Sequence, residues 1–329
     1  MMNNKNKQLN PDAQFQPYAT QPMGSAQDDE IDLRELFSVI WQGKWLIIAI
    51  TAVFAIGSVI FAINQPNIYK SEALLAPADS EQGGGGLAAL AGQFGGLASM
   101  AGINLGGGGG VDKTQMAIEV MKSRQFASSF IQSHNILPNL MAAKKWKLAD
   151  NSISYDEDLY NSAESKWVRE VEPPYKPEPS MQEAYKEFSK IIAVNAGKDT
   201  GMVNVSVEHL SPQVAQQWVN WLVADINNEM KQRDVAEANR SKAFLQTQIQ
   251  QTNVADIRTI LYKLIEEQTK TIMFAEVRDE YVFKTIDPAF VPEEKAKPKR
   301  ALICVLGTML GGMLAIMLVL IRYFVKKED

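Results

Sequence analysis

Two uncharged apolar runs, one near each end, constrain this chain more than any other feature. Trp45 to Ile63 spans 19 residues and Ala301 to Ile321 spans 21, and neither contains a charged side chain. As helices they reach about 28 and 31 Å, close to the thickness of a bilayer's hydrocarbon core. The alternative is a buried helix in a soluble core, and uncharged runs of this length argue against it. Nor does the first run read as a cleavable signal peptide. Its leader is 44 residues long and carries Asp28, Asp29, Glu30, Asp32 and Glu35, and Asn64-Gln65-Pro66-Asn67 follows without a clear cleavage site.

Two spans place the tails, residues 1–44 and 322–329, on one side of a membrane and residues 64–300 on the other. Basic residues near the spans do not decide which side is which. Arg34, Lys44, Arg322, Lys326 and Lys327 flank the tails, and Lys70, Lys295, Lys297, Lys299 and Arg300 flank the centre, five against five. Long segments translocate largely regardless of their charge, so the short tails count most. They favour cytoplasmic termini and a translocated centre.

Composition excludes several function classes. A net charge of −5 argues against a nucleic-acid binder that works by neutralising phosphates. One cysteine, Cys304, leaves no disulfide framework and no cysteine-based zinc site, and two histidines leave little imidazole chemistry. No metal or cofactor is expected.

Between the spans the pattern is mixed. Residues 1–27, rich in Asn, Gln and Pro, read as disordered. Ile31–Trp41 spaces Leu33, Leu36, Phe37, Ile40 and Trp41 as an amphipathic helix, or as a frayed extension of the first span. Tyr69–Leu75 suits a strand. Residues 83–110 hold 13 of the 21 glycines and read as a flexible loop, with a pore-lining or lipid-touching segment as the alternative. Gly110-Val111-Asp112-Lys113-Thr114 fails as a phosphate-binding loop, because the glycine that should precede the lysine is replaced by an acid. Lys113–His134 reads as one helix in a region that Pro138 ends. Residues 146–180, broken by Pro173, Pro174, Pro177 and Pro179, read as a surface excursion, and Asp156-Glu157-Asp158 as a solvated acidic run.

Ile191–Val194 and Val203–Val207 then predict a β-hairpin, with Val203, Val205 and Val207 on one face. Ser211-Pro212 supplies an N-cap and first-turn proline for a long helix. Its apolar stripe includes Trp218, Leu222, Ile226 and Met230. A second helical stretch follows from Val254 to Phe274, so that 212–274 forms either a bent rod or a hairpin, and Tyr281–Ile286 closes as a strand. The first and last strands both lie near a span and are expected to share a sheet. The long helix then has no room along that sheet and is expected to project, its stripe of Trp218, Leu222, Ile226 and Met230 covered by neighbouring copies in a homo-oligomer.

No catalytic constellation occurs, whether G-x-S-x-G, H-E-x-x-H or a spaced Cys/His set. The motifs that do occur, in order, are Glu30-Ile31-Asp32-Leu33-Arg34-Glu35-Leu36 with Trp41-Gln42-Gly43-Lys44 before the first span and Tyr69-Lys70-Ser71-Glu72-Ala73 after it. Ser211-Pro212 then opens the long helix, and Asp287-Pro288-Ala289-Phe290-Val291-Pro292 precedes Pro298-Lys299-Arg300 at the second span. In this order, between two terminal spans, they resemble bacterial polysaccharide co-polymerases of the O-antigen chain-length determinant (Wzz) type, over nearly the whole chain from residue 30. The resemblance implies an α+β protein of the bacterial inner membrane, with cytoplasmic termini and a periplasmic base carrying a long protruding helix. It also implies a ring-shaped homo-oligomer that works with a membrane polymerase on an undecaprenyl-linked glycan. Such a protein sets the modal length of the glycan without itself polymerising it. Related exopolysaccharide co-polymerases carry a cytoplasmic tyrosine kinase, for which the eight residues after the second run leave no space. The glycine-rich segment 83–110 departs from the family pattern.

Two further features carry positional expectations. Pro288, Pro292 and Pro298 stiffen the connector before the second span, or simply break helices there. Gly307 and Gly311 form G-x-x-x-G, which lets a neighbouring helix approach closely, with Ser58 and Ala62 of the first span at matching spacing. The competing functions are a two-span periplasmic sensor, which the short tail disfavours, and a membrane-anchored glycan hydrolase.

Overall fold

The computed structural model of the chain describes residues 33–78 and 112–328. The expected disordered tail 1–27 and the glycine-rich loop 83–110 lie outside them. The described residues fall into two compact units, one made of the helical ends up to Gly57 and from Val305, the other of Ser58–Cys304.

In the first unit, α1 (Leu33–Gln42) continues into α2 (Lys44–Asn64). Gly43 N–H donates to Val39 O and Ile47 N–H to Gly43 O, both at 3.0 Å, so the helical ladder passes through the junction. The long closing helix α9 (Arg300–Glu328) runs antiparallel to α2. Two glycines make this approach possible. A Cβ on Gly311 would lie 2.5 Å from Phe54 Cβ, and one on Gly43 2.6 Å from a Val319 methyl. Gly311, Ala315 and Val319, one helical turn apart, form the buried stripe of α9, while Val53, Ile56, Met309 and Met313 stay exposed.

The second unit is built on one antiparallel sheet of four strands: β1 (Tyr69–Pro77), β6 (Ile192–Ala196), β7 (Val203–His209) and β8 (Phe283–Asp287), in the order β6-β7-β1-β8. The first and last strands do pair. Register explains the core: Ser71 faces Val207, Ala73 faces Val205 and Leu75 faces Val203, so alternate residues of both strands point to one buried side. Helices α3 (Lys113–Lys122), α4 (Arg124–Ser133), α6 (Met181–Ile191) and α7 (Pro212–Gln251) cover that side.

Three expectations change. The single helix over 113–134 is two, because Ser123 closes α3 with its N–H on Val120 O and caps α4 with its hydroxyl on Phe126 N–H. Pro138 does not end its region but sits in the first turn of α5 (Leu137–Met141), where its missing N–H costs nothing. The excursion 146–180 is ordered by two small hairpins, the first beginning just before it: β2 (Ala143–Trp146) with β3 (Ile153–Tyr155), and β4 (Tyr160–Asn161) with β5 (Lys166–Trp167).

The largest correction concerns the long helix. Trp218, Leu222, Ile226 and Met230, expected to face other copies, are 0–1% exposed and belong to the protein's own core with Leu75, Val203, Val205 and Phe283. The sheet has one apolar face, and the first half of α7 is the stripe that covers it. Each of these side chains gains about 1.5–3 kcal/mol from leaving water. The second half of α7 is covered instead by α8 (Ala255–Val277), which turns back after Thr252-Asn253-Val254. Thus 212–274 is a hairpin and not a bent rod. Asn227 fixes the return: its Oδ1 accepts from Val282 and Phe283 N–H at 2.8 and 2.9 Å, and its Nδ2 donates to Phe283 O at 3.1 Å.

Candidate membrane-proximal site

The strongest convergence of polar contacts in Ser58–Cys304 lies where both terminal helices join the sheet. Arg300, at the start of α9, donates from Nε to Ala62 O at 3.0 Å, and from one terminal nitrogen to Gln65 O at 3.4 Å and Asn67 Oδ1 at 3.0 Å. The last carbonyls of a helix have no partner within it and carry its negative dipole end. One guanidinium therefore caps the first apolar helix from the foot of the second.

The proline connector is tied to the sheet rather than loose. Ile68 N–H donates to Lys297 O at 2.9 Å and Ala296 N–H to Ile68 O at 2.8 Å. Ser71 Oγ donates to Phe290 O at 2.7 Å, and Gln216 Nε2 to Ala289 O at 3.0 Å. Lys297 Nζ reaches Glu208 at 2.6 Å. Within this connector Pro292 is buried, Pro298 half-buried and Pro288 exposed. Three prolines remove N–H groups that would otherwise need partners, so the segment follows the sheet through its carbonyls and its remaining amides.

Of the proposed helix-packing residues, Gly311 is buried against Phe54, Gly307 is half-buried, Ala62 is buried under Arg300's hydrogen bond, and Ser58 is half-buried. The residue that meets Gly311 is thus Phe54, a position that a search for small residues passes over. Exposed apolar side chains of α7 and α8, such as Phe244, Tyr262 and Met273, each 59–64% exposed, were likewise hidden by the dominant stripe ending at Met230.

Several titratable groups of the described residues make local contacts that hold the fold. His134 stacks on Trp221 with ring centres 4.1 Å apart and holds Asp225 at 2.8 Å. His209 accepts from Ser211 N–H through Nδ1 at 3.0 Å and donates through Nε2 to Asn139 O at 3.2 Å, and burial pushes its pKa down. Arg169 grips Glu183 with two nitrogens at 2.8 and 3.0 Å, holding that carboxyl down to about 2, while Ser180 completes a capping box. Asp156 of the acidic run accepts from Lys144 at 3.1 Å. Among the described residues no group of three or more His, Cys, Asp or Glu is placed to hold a metal. A hollow of about 570 Å³ beside Pro77 and Ala78 mixes Arg278 and Lys284 with Asp279 and Glu280, and Glu280 is already engaged by Thr285 N–H.

Comparison with known proteins gives two partial family matches. The model "Wzz: Chain length determinant protein" matches residues 29–134, and GNVR, named for a G-rich domain on tyrosine kinases, matches residues 244–324. No curated protein sequence matches the chain significantly. Among solved structures, a "full-length bacterial polysaccharide co-polymerase" is similar at 14% identity and TM-score 0.37, covering 91% of this chain and 99% of its own. A "Fragment of WzzB, Polysaccharide Co-polymerase from Salmonella Typhimurium" is similar at 12% identity and TM-score 0.27, covering 70% of this chain and 100% of its own. The Wzz match includes α2, β1, α3 and α4, which supply the first apolar helix, a central strand and part of the helical cover, so about the first third of the chain is similar to the chain length determinant model.

Proposed function

We propose that this chain is a non-enzymatic scaffold of the bacterial inner membrane that sets how far a membrane polymerase extends a lipid-linked surface glycan such as O-antigen. In this reading α2 and α9 cross the bilayer, the termini are cytoplasmic, and Ser58–Cys304 stands mostly in the periplasm. Copies assemble into a homo-oligomer around the polymerase and its undecaprenyl-linked substrate. The observation that carries the reading is the Wzz match over residues 29–134, on a chain with two helices long and apolar enough to cross a membrane. The contacts around Arg300 and the connector support it mechanically, since they tie the feet of both helices to one sheet. A length ruler needs a rigid relation between its membrane anchor and its translocated body.

The test is deletion of the gene followed by electrophoresis of the surface polysaccharide. The modal cluster of chain lengths should broaden, and the intact gene on a plasmid should restore it. An unchanged ladder would defeat the proposal. Incubation of the purified protein with lipid-linked glycan separates the hydrolase reading, because a scaffold leaves the glycan uncut.

A further inference from the structure

The β2–β3 hairpin carries a surface that neither the sheet nor the helices use. Its tip reads Lys144-Lys145-Trp146-Lys147-Leu148, and Leu148 is 80% exposed, among the most exposed large apolar side chains of the described residues. Lys144 is engaged by Asp156, and the nearby carboxylate of Asp150 is held ionised by the Ser152 hydroxyl and amide and, more weakly, by Lys147. Lys145 and Lys147 are both exposed and, with Lys144, outnumber these acids.

The location of this tip is fixed by three contacts. Trp146 packs edge-on against Tyr69, with ring centres 5.5 Å apart. Its Nε1 donates to Asn151 Oδ1 at 2.7 Å, and Asn151 in turn hydrogen-bonds Gln213 in the first turn of α7. Tyr69 pairs with His209 and follows Ile68, which is bridged to Lys297. The hairpin tip therefore sits at the end of the sheet from which α2 and α9 leave. Tyr69 is five residues beyond Asn64, the last residue of α2. Five residues span at most about 17 Å, comparable with the headgroup layer plus a side chain. An indole half-covered by its own fold, a protruding leucine and two lysines are the groups that settle at a membrane–water boundary.

We propose that the β2–β3 hairpin is an interfacial foot: Leu148 and the edge of Trp146 enter the headgroup boundary, and Lys145 and Lys147 pair with the phosphates of anionic phospholipids. The inference rests on the reading that α2 and α9 cross that bilayer. Its consequence is a third point of support for the sheet at the membrane surface.

The test uses the full chain with Cys304→Ser and Leu148→Cys, the new thiol carrying a solvatochromic dye, in nanodiscs. The expected result is blue-shifted emission in discs containing phosphatidylglycerol, less so in phosphatidylcholine alone, with quenching by lipids spin-labelled near the headgroup. Lys145→Glu with Lys147→Glu should return the dye to its aqueous emission, each lysine being worth about fivefold in the docked fraction. Salt at about 1 M, where the screening length is about 3 Å, should weaken docking in the same direction. Aqueous emission in every disc would overturn the foot. A blue shift that headgroup labels do not quench would mean that another protein surface covers Leu148, and would overturn it equally. Flotation of the chain with vesicles separates the two readings: a floating chain with an aqueous dye loses the foot alone, and a chain that does not float loses both.

Discussion

Single residues decide how the pieces are held. Asn227 satisfies three backbone groups that β8 brings into the core. Asn227→Ala leaves them unpaired away from water, at about 1–3 kcal/mol for each group that finds no other partner. A clear fall in the thermal midpoint of the purified protein is expected, and Asn227→Asp should recover part of it through the retained acceptor. Two titrating groups give the same sign by different causes. Arg169 depresses Glu183, so its share of stability is complete above 4.5, the carboxyl's ordinary value, and is lost as pH falls toward about 2. His209 is held neutral by burial, so its share is complete above 6.5 and declines as pH falls below that value. Unfolding followed against pH should show stability dropping through both windows. Glu183→Gln should flatten the acidic one only, and a slope that is unaltered there would remove Arg169's assigned role. At Gly311 a larger side chain has no room beside Phe54. Gly311→Leu should lower detergent stability, and Phe54→Ala in the same chain should restore much of it. Lack of any rescue would show that this contact does not hold α2 and α9 together.

At the scale of elements, α7 does two jobs along its length. Its first half closes the core, and Trp218→Ala should cost about 3–5 kcal/mol and unfold the chain rather than separate copies. Its second half, with α8, presents Phe244 and Tyr262 outward. If copies associate through this hairpin, Phe244→Glu with Tyr262→Glu should yield smaller particles of unchanged thermal stability. The two outcomes separate a core role from an assembly role, and identical particle size in the double variant would move the assembly surface elsewhere. Strand alternation made β1 and β7 readable in advance, because Val203, Val205 and Val207 repeat with period two on a half-buried face. The break at Ser123 was not readable, since an uninterrupted apolar pattern conceals a capping hydroxyl until its geometry is known.

For the whole molecule, the sequence by itself determined the two apolar helices, the shared sheet of the first and last strands, and the order of motifs that resembles the Wzz family. These are properties of length, periodicity and chain order, which survive without coordinates. Only the tertiary structure decided which surface the long stripe of α7 covers, that residues 212–274 fold back as a hairpin, and that the proline connector and Arg300 clamp the feet of α2 and α9 to the sheet. The physical reason is that burial and pairing are relations between segments distant in the chain: an apolar stripe states that it must be covered, but not by what. Here Trp218, Leu222, Ile226 and Met230 found their cover in the protein's own sheet.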